Sequence, residues 1–253
     1  MGSINNGSMT MNKDEIYANS ENGDRPFRFN AAVAEVFPDM LRRSIPGYAA
    51  SIEAISSLAA RYVSADTTCY DLGCSLGAAT LAMRAGIRVP GCQIVAVDNA
   101  AAMVERCRDI VATDSGQHRT SVEVRQADIQ DTDIENASMV VMNYTLQFLD
   151  VSARDAIVQR IFDGLLPGGL FLLSEKVVDE DAHMEDLLVD LHHEHKRRND
   201  YSQLEISRKR AALENVLLPE SVAVHRARLA TAGFAHSAVW LRYFNFVSIV
   251  AIK

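Results

Sequence analysis

The chain has 253 residues, long enough for one α/β domain with a well-buried core or a small pair of domains, and its 48% apolar and 23% charged residues are ordinary for a soluble globular enzyme. Its formal net charge is −8 with no long Lys/Arg block, which argues against direct binding to a polyanion such as nucleic acid. No apolar run has the length of a membrane span, no signal-peptide pattern opens the chain, and Cys69, Cys74, Cys92 and Cys107 lack CxxC spacing, so a cytoplasmic protein with reduced thiols and no metal is expected.

Residues 1–24 are polar, Asn/Ser/Gly-rich and aperiodic, which predicts a disordered tail ahead of one domain over 25–253; its Met1-Gly2-Ser3 start reads as a cloning remnant. Residues 29–63 turn helical, and Pro38 and Pro46 are expected to cut them into short helices. Over 48–62, Ile52, Ile55, Ala59 and Tyr62 share one face. Alternation follows. Strands are predicted at 69–72, 93–97, 121–125, 138–142 and 170–173, with helices at 78–85, 100–112 and 155–165 and a turn at Pro167-Gly168-Gly169. Residues 180–217 read as a His- and Arg-rich helical insertion over the carboxyl edge of the sheet. A last helix at 221–232 stops at Gly233, and 239–252 reads as a terminal strand pair around Asn245. The pattern implies an α/β, Rossmann-like, mostly parallel sheet of seven strands, similar to the class I methyltransferase architecture.

The most informative stretch is Asp71-Leu72-Gly73-Cys74-Ser75-Leu76-Gly77, an acid at a strand end running into a small-residue turn and then a helix. It lacks the GxGxxG spacing of hydride-transfer enzymes. It resembles the acidic-x-Gly-x-Gly-x-Gly signature of S-adenosylmethionine enzymes, with Ser75 in place of the middle glycine. Asp98, at the second strand end, is the expected ribose acid; a solvated cap on the next helix is the competing reading. Asp128 can accept from an adenine amino group while the Ile129 N–H donates to the ring, although a turn aspartate is equally consistent. Asn143 ends the fourth strand on the same crevice.

On the inserted helix, Ile206, Leu213 and Leu217 make an apolar stripe that includes Arg210, whereas Arg208 points away. A guanidinium there either clamps an anionic ligand, snorkels to solvent or pairs with Glu214. His192-His193-Glu194-His195 departs from HExxH and is read as a polar surface helix, not a metal site. Met103, Met139 and Met142 are read as core fillers and Trp240 as buried strand packing.

Several segments together resemble the bacterial carboxy-S-adenosyl-L-methionine synthase family: Ala34-Glu35-Val36-Phe37-Pro38-Asp39-Met40, Ser44-Ile45-Pro46-Gly47-Tyr48, residues 70–80, Glu135-Asn136-Ala137-Ser138-Met139-Val140-Val141, Thr145-Leu146-Gln147-Phe148 and residues 204–216. The resemblance runs from about Phe29 to the C-terminus and includes the inserted helices. It implies conversion of S-adenosyl-L-methionine and prephenate to carboxy-S-adenosyl-L-methionine and phenylpyruvate. The sulfonium acidifies its methyl C–H bonds, so the carbon can attack carbon dioxide released from prephenate, and the departing hydroxide can take the proton. The family's ligand positions fall on Tyr48, Gly73, Cys74, Ser75, Asp98, Asn99, Asp128, Ile129, Asn143 and Arg210, with Arg210 holding the new carboxylate. The resemblance further implies a homodimer whose product passes to a tRNA carboxymethyltransferase acting on the wobble uridine. An ordinary methyltransferase and a non-catalytic adenosyl-ligand-binding protein are the alternatives.

Overall fold

The computed structural model describes residues 12–18, 26–114, 116 and 120–253. A parallel half is built from β1 (Thr68–Leu72), β2 (Gln93–Asp98), β3 (Ser121–Gln126), β4 (Ala137–Asn143) and β5 (Leu165–Val178). A two-residue strand, β6 (Glu220–Ser221), pairs with the far end of β5. The hairpin of β7 (His236–Tyr243) and β8 (Phe246–Ile252) adds antiparallel to β5, giving the order β3-β2-β1-β4-β5-β8-β7. This is the expected seven-stranded path, with β6 as a short extra.

β1 is buried at every position and β4 at all but its last, because helices cover both faces. Apolar side chains such as Leu72, Met139, Val140 and Met142 lose all exposure there, each contributing about 1.5–3 kcal/mol. One face packs on α2 (Tyr48–Tyr62) and α3 (Ala78–Gly86), where Ile55, Ala59, Ala82 and Met83 meet Ile94, Met139 and Leu172. The other packs on α5 (Val151–Gly164) and α8 (Val222–Ala232), through Ile157, Val158, Ile161 and Leu229. α8 ends at Gly233 with φ 111°, a left-handed cap that the sequence anticipates. α4 (Ala101–Thr113) buries Met103 and Cys107. A third cluster, with Phe37 and Met40 of α1 (Ala31–Ser44), joins Tyr17, Leu76 and Ala212. Leu76 belongs to the turn after β1 and Ala212 to α7 (Gln203–Leu213), so this cluster lies over the carboxyl edge, where the helices α6 (Ala182–Arg198) and α7 form the expected insertion.

Several expectations need correction. Pro38 does not end a helix: α1 runs through it, since buried Phe37 and Met40 on either side outweigh the lost hydrogen bond. Pro46 does separate α1 from α2. Pro167-Gly168-Gly169 is not a turn between elements but an irregularity in the pairing of β4 with β5, and β5 continues to Val178 because its later residues find β8 as a second partner. The tail predicted over 1–24 is structured at 12–18, where Asp14 and Tyr17 are buried; the rest of it lies outside the described residues. Trp240 is 36% exposed on the edge strand β7, its Nε1 donating to Ser248 Oγ at 2.8 Å. α6 is not a plain surface helix: His192 is buried, its Nε2 2.9 Å from the Ser44 carbonyl and its ring against Phe246, and Lys196 is buried too.

Candidate active site

β2 lies on one side of β1 and β4 on the other, so winding reverses between β1 and β4 and a crevice opens beyond their carboxyl ends. The turn after β1 is shaped by Gly73, Ser75 and Gly77, all at positive φ. Gly73 is constrained twice: its φ is 85°, and a Cβ there would lie 2.3 Å from Thr145 Oγ1. The N–H groups of Gly73 and Cys74 donate to the Val97 carbonyl at 2.8 and 3.0 Å, which seats the turn on the end of β2.

Asp98 completes that seat. Its Oδ2 accepts the Ser75 N–H and its Oδ1 the Ala100 N–H, both at 2.9 Å. The capping reading is therefore met, and each carboxylate oxygen keeps a lone pair able to accept a hydroxyl. Burial raises the Asp98 carboxyl above its ordinary range, while N–H donors from Ala100, Ser75 and Asn99 oppose the rise. Asn99 Nδ2 donates to Asp128 Oδ1 at 2.8 Å and ties the end of β2 to the loop after β3. Asp128 is exposed, and buried Ile129 opens the 3-10 turn Ile129–Asp131.

Asn143 ends β4 half-buried, and its Oδ1 is buried with no hydrogen-bond partner among the described residues. A donor from a bound adenosyl ligand would satisfy that acceptor. Tyr48 opens α2, its ring 6.5 Å from that of Tyr144, which in turn meets Phe246 at 6.0 Å. Burial, with the Asp71 charge adding, pushes the Tyr48 phenol up, so it acts as a neutral donor. Asp71 is 1% exposed and accepts from Thr80 Oγ1 at 2.5 Å. Burial pushes its carboxyl up to about 6, against the Thr80 bonds and with the Asp98 charge adding.

Arg210 requires a correction. The buried side of α7 is Ile206, Lys209 and Ala212, and the helix ends at Leu213, so Leu217 is not on it. Arg210 is exposed, as the solvent alternative has it, and it forms no pair with Glu214 among the described residues. Arg208, read as pointing freely away, donates to the Tyr17 and Ala18 carbonyls at 3.1 Å. Burial lowers the pKa of Lys176, near the end of β5, and of His193 on α6, and the Arg210 charge lowers both further. Its guanidinium has no carboxylate partner among the described residues, and its charge acts on Lys176 of β5 and His193 of α6. No group of His, Cys, Asp and Glu among those residues is arranged to hold a metal ion.

Sequence reasoning passes over Tyr144, Thr145 and Glu175. Glu175 accepts the Leu146 N–H at 3.0 Å and so holds the 3-10 turn Leu146–Phe148, which follows the Thr145 that packs on Gly73. The available signal is the polar Ser174-Glu175-Lys176 set between the apolar stretches Leu170 to Leu173 and Val177-Val178.

Fold and strand-end site together define a Rossmann-like methyltransferase-type domain. A family model described as "Methyltransferase domain" matches residues 70–171. Human N-acetylserotonin methyltransferase, solved in complex with SAM, superposes with TM-score 0.60 at 17% identity, over 88% of this chain and 59% of that one. Mitomycin 7-O-methyltransferase gives 0.56 at 16%, over 87% and 56%. The carboxy-S-adenosyl-L-methionine synthase of Aliivibrio fischeri (strain MJ11) is 52% identical over 96% of this chain and 99% of its own length. That of Trichlorobacter lovleyi is 51% identical over 97% and 100%. The chain belongs to the carboxy-S-adenosyl-L-methionine synthase family.

Proposed function

We propose that this protein converts S-adenosyl-L-methionine and prephenate to carboxy-S-adenosyl-L-methionine, phenylpyruvate and water. The observation that carries this reading beyond the fold is the 51–52% identity to carboxy-S-adenosyl-L-methionine synthases over nearly the whole chain, and an exposed Arg210 with no carboxylate partner among the described residues supports it. Methyl transfer has no use for a cation near the sulfonium, whereas a new carboxylate would be held by one. S-adenosyl-L-methionine, when bound, supplies a sulfonium methyl carbon.

In this reading the Gly73-Cys74-Ser75 turn lets the ligand approach the backbone. Asp98 accepts the ribose hydroxyls, Asp128 and the Ile129 N–H read the adenine edge with Asn99 bracing Asp128, and the orphaned Asn143 Oδ1 takes a ligand donor. Tyr48 stays protonated and walls the crevice beside Tyr144. Arg210 offers a two-pronged donor to the carboxylate and, earlier in the cycle, to prephenate. A homodimer, cytoplasmic residence and delivery of the product to a tRNA carboxymethyltransferase belong to the same proposal; no helix among the described residues is long and apolar enough to cross a membrane. The test is mass spectrometry of the nucleoside released after incubation with both substrates. A species heavier than S-adenosyl-L-methionine by one carbon dioxide, dependent on prephenate, supports the proposal; unmodified ligand with methyl transfer to an acceptor refutes it.

A further inference from the structure

The segment 12–18 contributes a buried carboxylate to the underside of the helix that carries Arg210. Asp14 is 1% exposed. Its Oδ2 accepts the Tyr201 hydroxyl at 2.5 Å and lies 3.6 Å from Lys209 Nζ, and Lys209 is itself buried. Among the described residues no other carboxylate pairs with Lys209. The backbone of Asp14 is anchored on α1 from both ends: its N–H donates to Asp39 Oδ2 at 2.9 Å, and its carbonyl accepts Arg43 Nη1 at 3.1 Å. Arg43 also donates from Nε to the Asn199 carbonyl at 2.6 Å and stacks over the Tyr201 ring at 3.9 Å, gripping the link between α6 and α7. Lys209 Nζ also donates to Ser44 Oγ at 3.2 Å. Two further ties hold the same helix: Arg208 donates to Tyr17 and Ala18, and the Phe27 N–H donates to the Ala212 carbonyl at 3.0 Å.

α7 has little apolar surface with which to seat itself. It buries only Ile206, Lys209 and Ala212, and one of those three is a cation. Removing the carboxylate that meets a buried ammonium is strongly destabilising. The Asp14–Lys209 contact is the one carboxylate tie on the buried side of α7 among the described residues, and the next residue along is Arg210.

We infer that Asp14 is a positioning residue: through Lys209 and Tyr201 it sets the rotation of α7 and thereby aims Arg210 at the anionic group of the ligand. The adenosine half of the site stands on β1 to β4 and does not depend on it. This inference rests on the proposed function for the identity of the anion, though not for the seating of α7.

The experiment compares wild-type protein with D14N and Y201F by hydrogen exchange of the α7 amides and by the dissociation constants of S-adenosyl-L-methionine and its carboxylated form. In D14N the α7 amides should exchange at least about tenfold faster, while strand amides keep their protection. The preference for the carboxylated nucleoside should fall about tenfold or more with affinity for S-adenosyl-L-methionine nearly unchanged, a split that general destabilisation does not produce. Y201F, which loses a single hydroxyl, should shift both readouts in the same direction by less, and it carries the test if D14N does not fold. Unchanged α7 exchange and unchanged preference in folded variants overturn the inference. A wild-type protein with no preference for the carboxylated nucleoside sinks the proposed function instead, and the exchange comparison still decides whether Asp14 seats α7.

Discussion

The carboxylate of Asp98 accepts the backbone N–H of Ser75 at 2.9 Å, so the acid that ends β2 also fixes the turn that follows β1. One side chain shapes the small-residue turn and presents acceptors to the crevice it borders. The turn after β1 and the end of β2 are thus coupled through one side chain.

Replacing Asp98 by Asn keeps the volume but turns one acceptor into a donor facing the Ser75 or Ala100 N–H. Loss of charge-assisted bonds to two hydroxyls is worth about 3 kcal/mol, so the dissociation constant for S-adenosyl-L-methionine should rise about a hundredfold by calorimetry. Affinity within about threefold of wild type would remove Asp98 from the ligand site.

Gly73→Ala tests the turn itself. The left-handed φ of 85° and the 2.3 Å approach to Thr145 predict a loss of about 3 kcal/mol in denaturant unfolding. Adding Thr145→Ala should recover the steric part and leave the backbone part. A G73A protein as stable as wild type would mean that the turn does not pack on Thr145.

This part of the site was legible in the sequence because its causes are local. A strand end, a small-residue turn and an acid one strand further on lie within 28 positions, from Asp71 to Asp98, and each follows from residue type. The alternating strands and helices were legible for the same reason. What was missed depends on distant partners. β5 continues past Pro167-Gly168-Gly169 because β8 pairs with it from the other end of the domain. The helix face of α7 was misjudged by one residue, since a wheel of Ile206, Lys209, Arg210 and Leu213 does not say that the carboxylate for Lys209 comes from Asp14. His192 reads as a surface residue in the sequence because its contacts arise from Ser44 of α1 and Phe246 of β8.

Buried acids predict how stability depends on pH. Burial pushes the Glu175 carboxyl up to about 8, with Arg154 and the N–H groups of Gln147, Leu146 and Thr145 opposing, and Asp71 up to about 6. Between the ordinary carboxylate range and these values the native state binds protons that the unfolded chain has released, so stability is greatest at low pH from these groups and falls as pH rises through about 6 and then about 8. Glu175→Gln should flatten the upper part of that fall by a few kcal/mol, about 1.4 for each pH unit, and gain most relative to wild type above pH 8. Unfolding free energies measured from pH 5 to 9 check this; parallel curves for the two proteins would contradict it.

The account stands most directly on Arg210→Ala, assayed for both ligand affinity and carboxylated product. Arg210 belongs to α7 and not to the strand ends proposed to hold the adenosine, so S-adenosyl-L-methionine binding should stay within about threefold of wild type, while prephenate-dependent carboxy-S-adenosyl-L-methionine should fall at least about tenfold through loss of a charge-assisted clamp. Product formed at the wild-type rate by that variant would contradict the role given to this cation and, with it, the reading of the crevice.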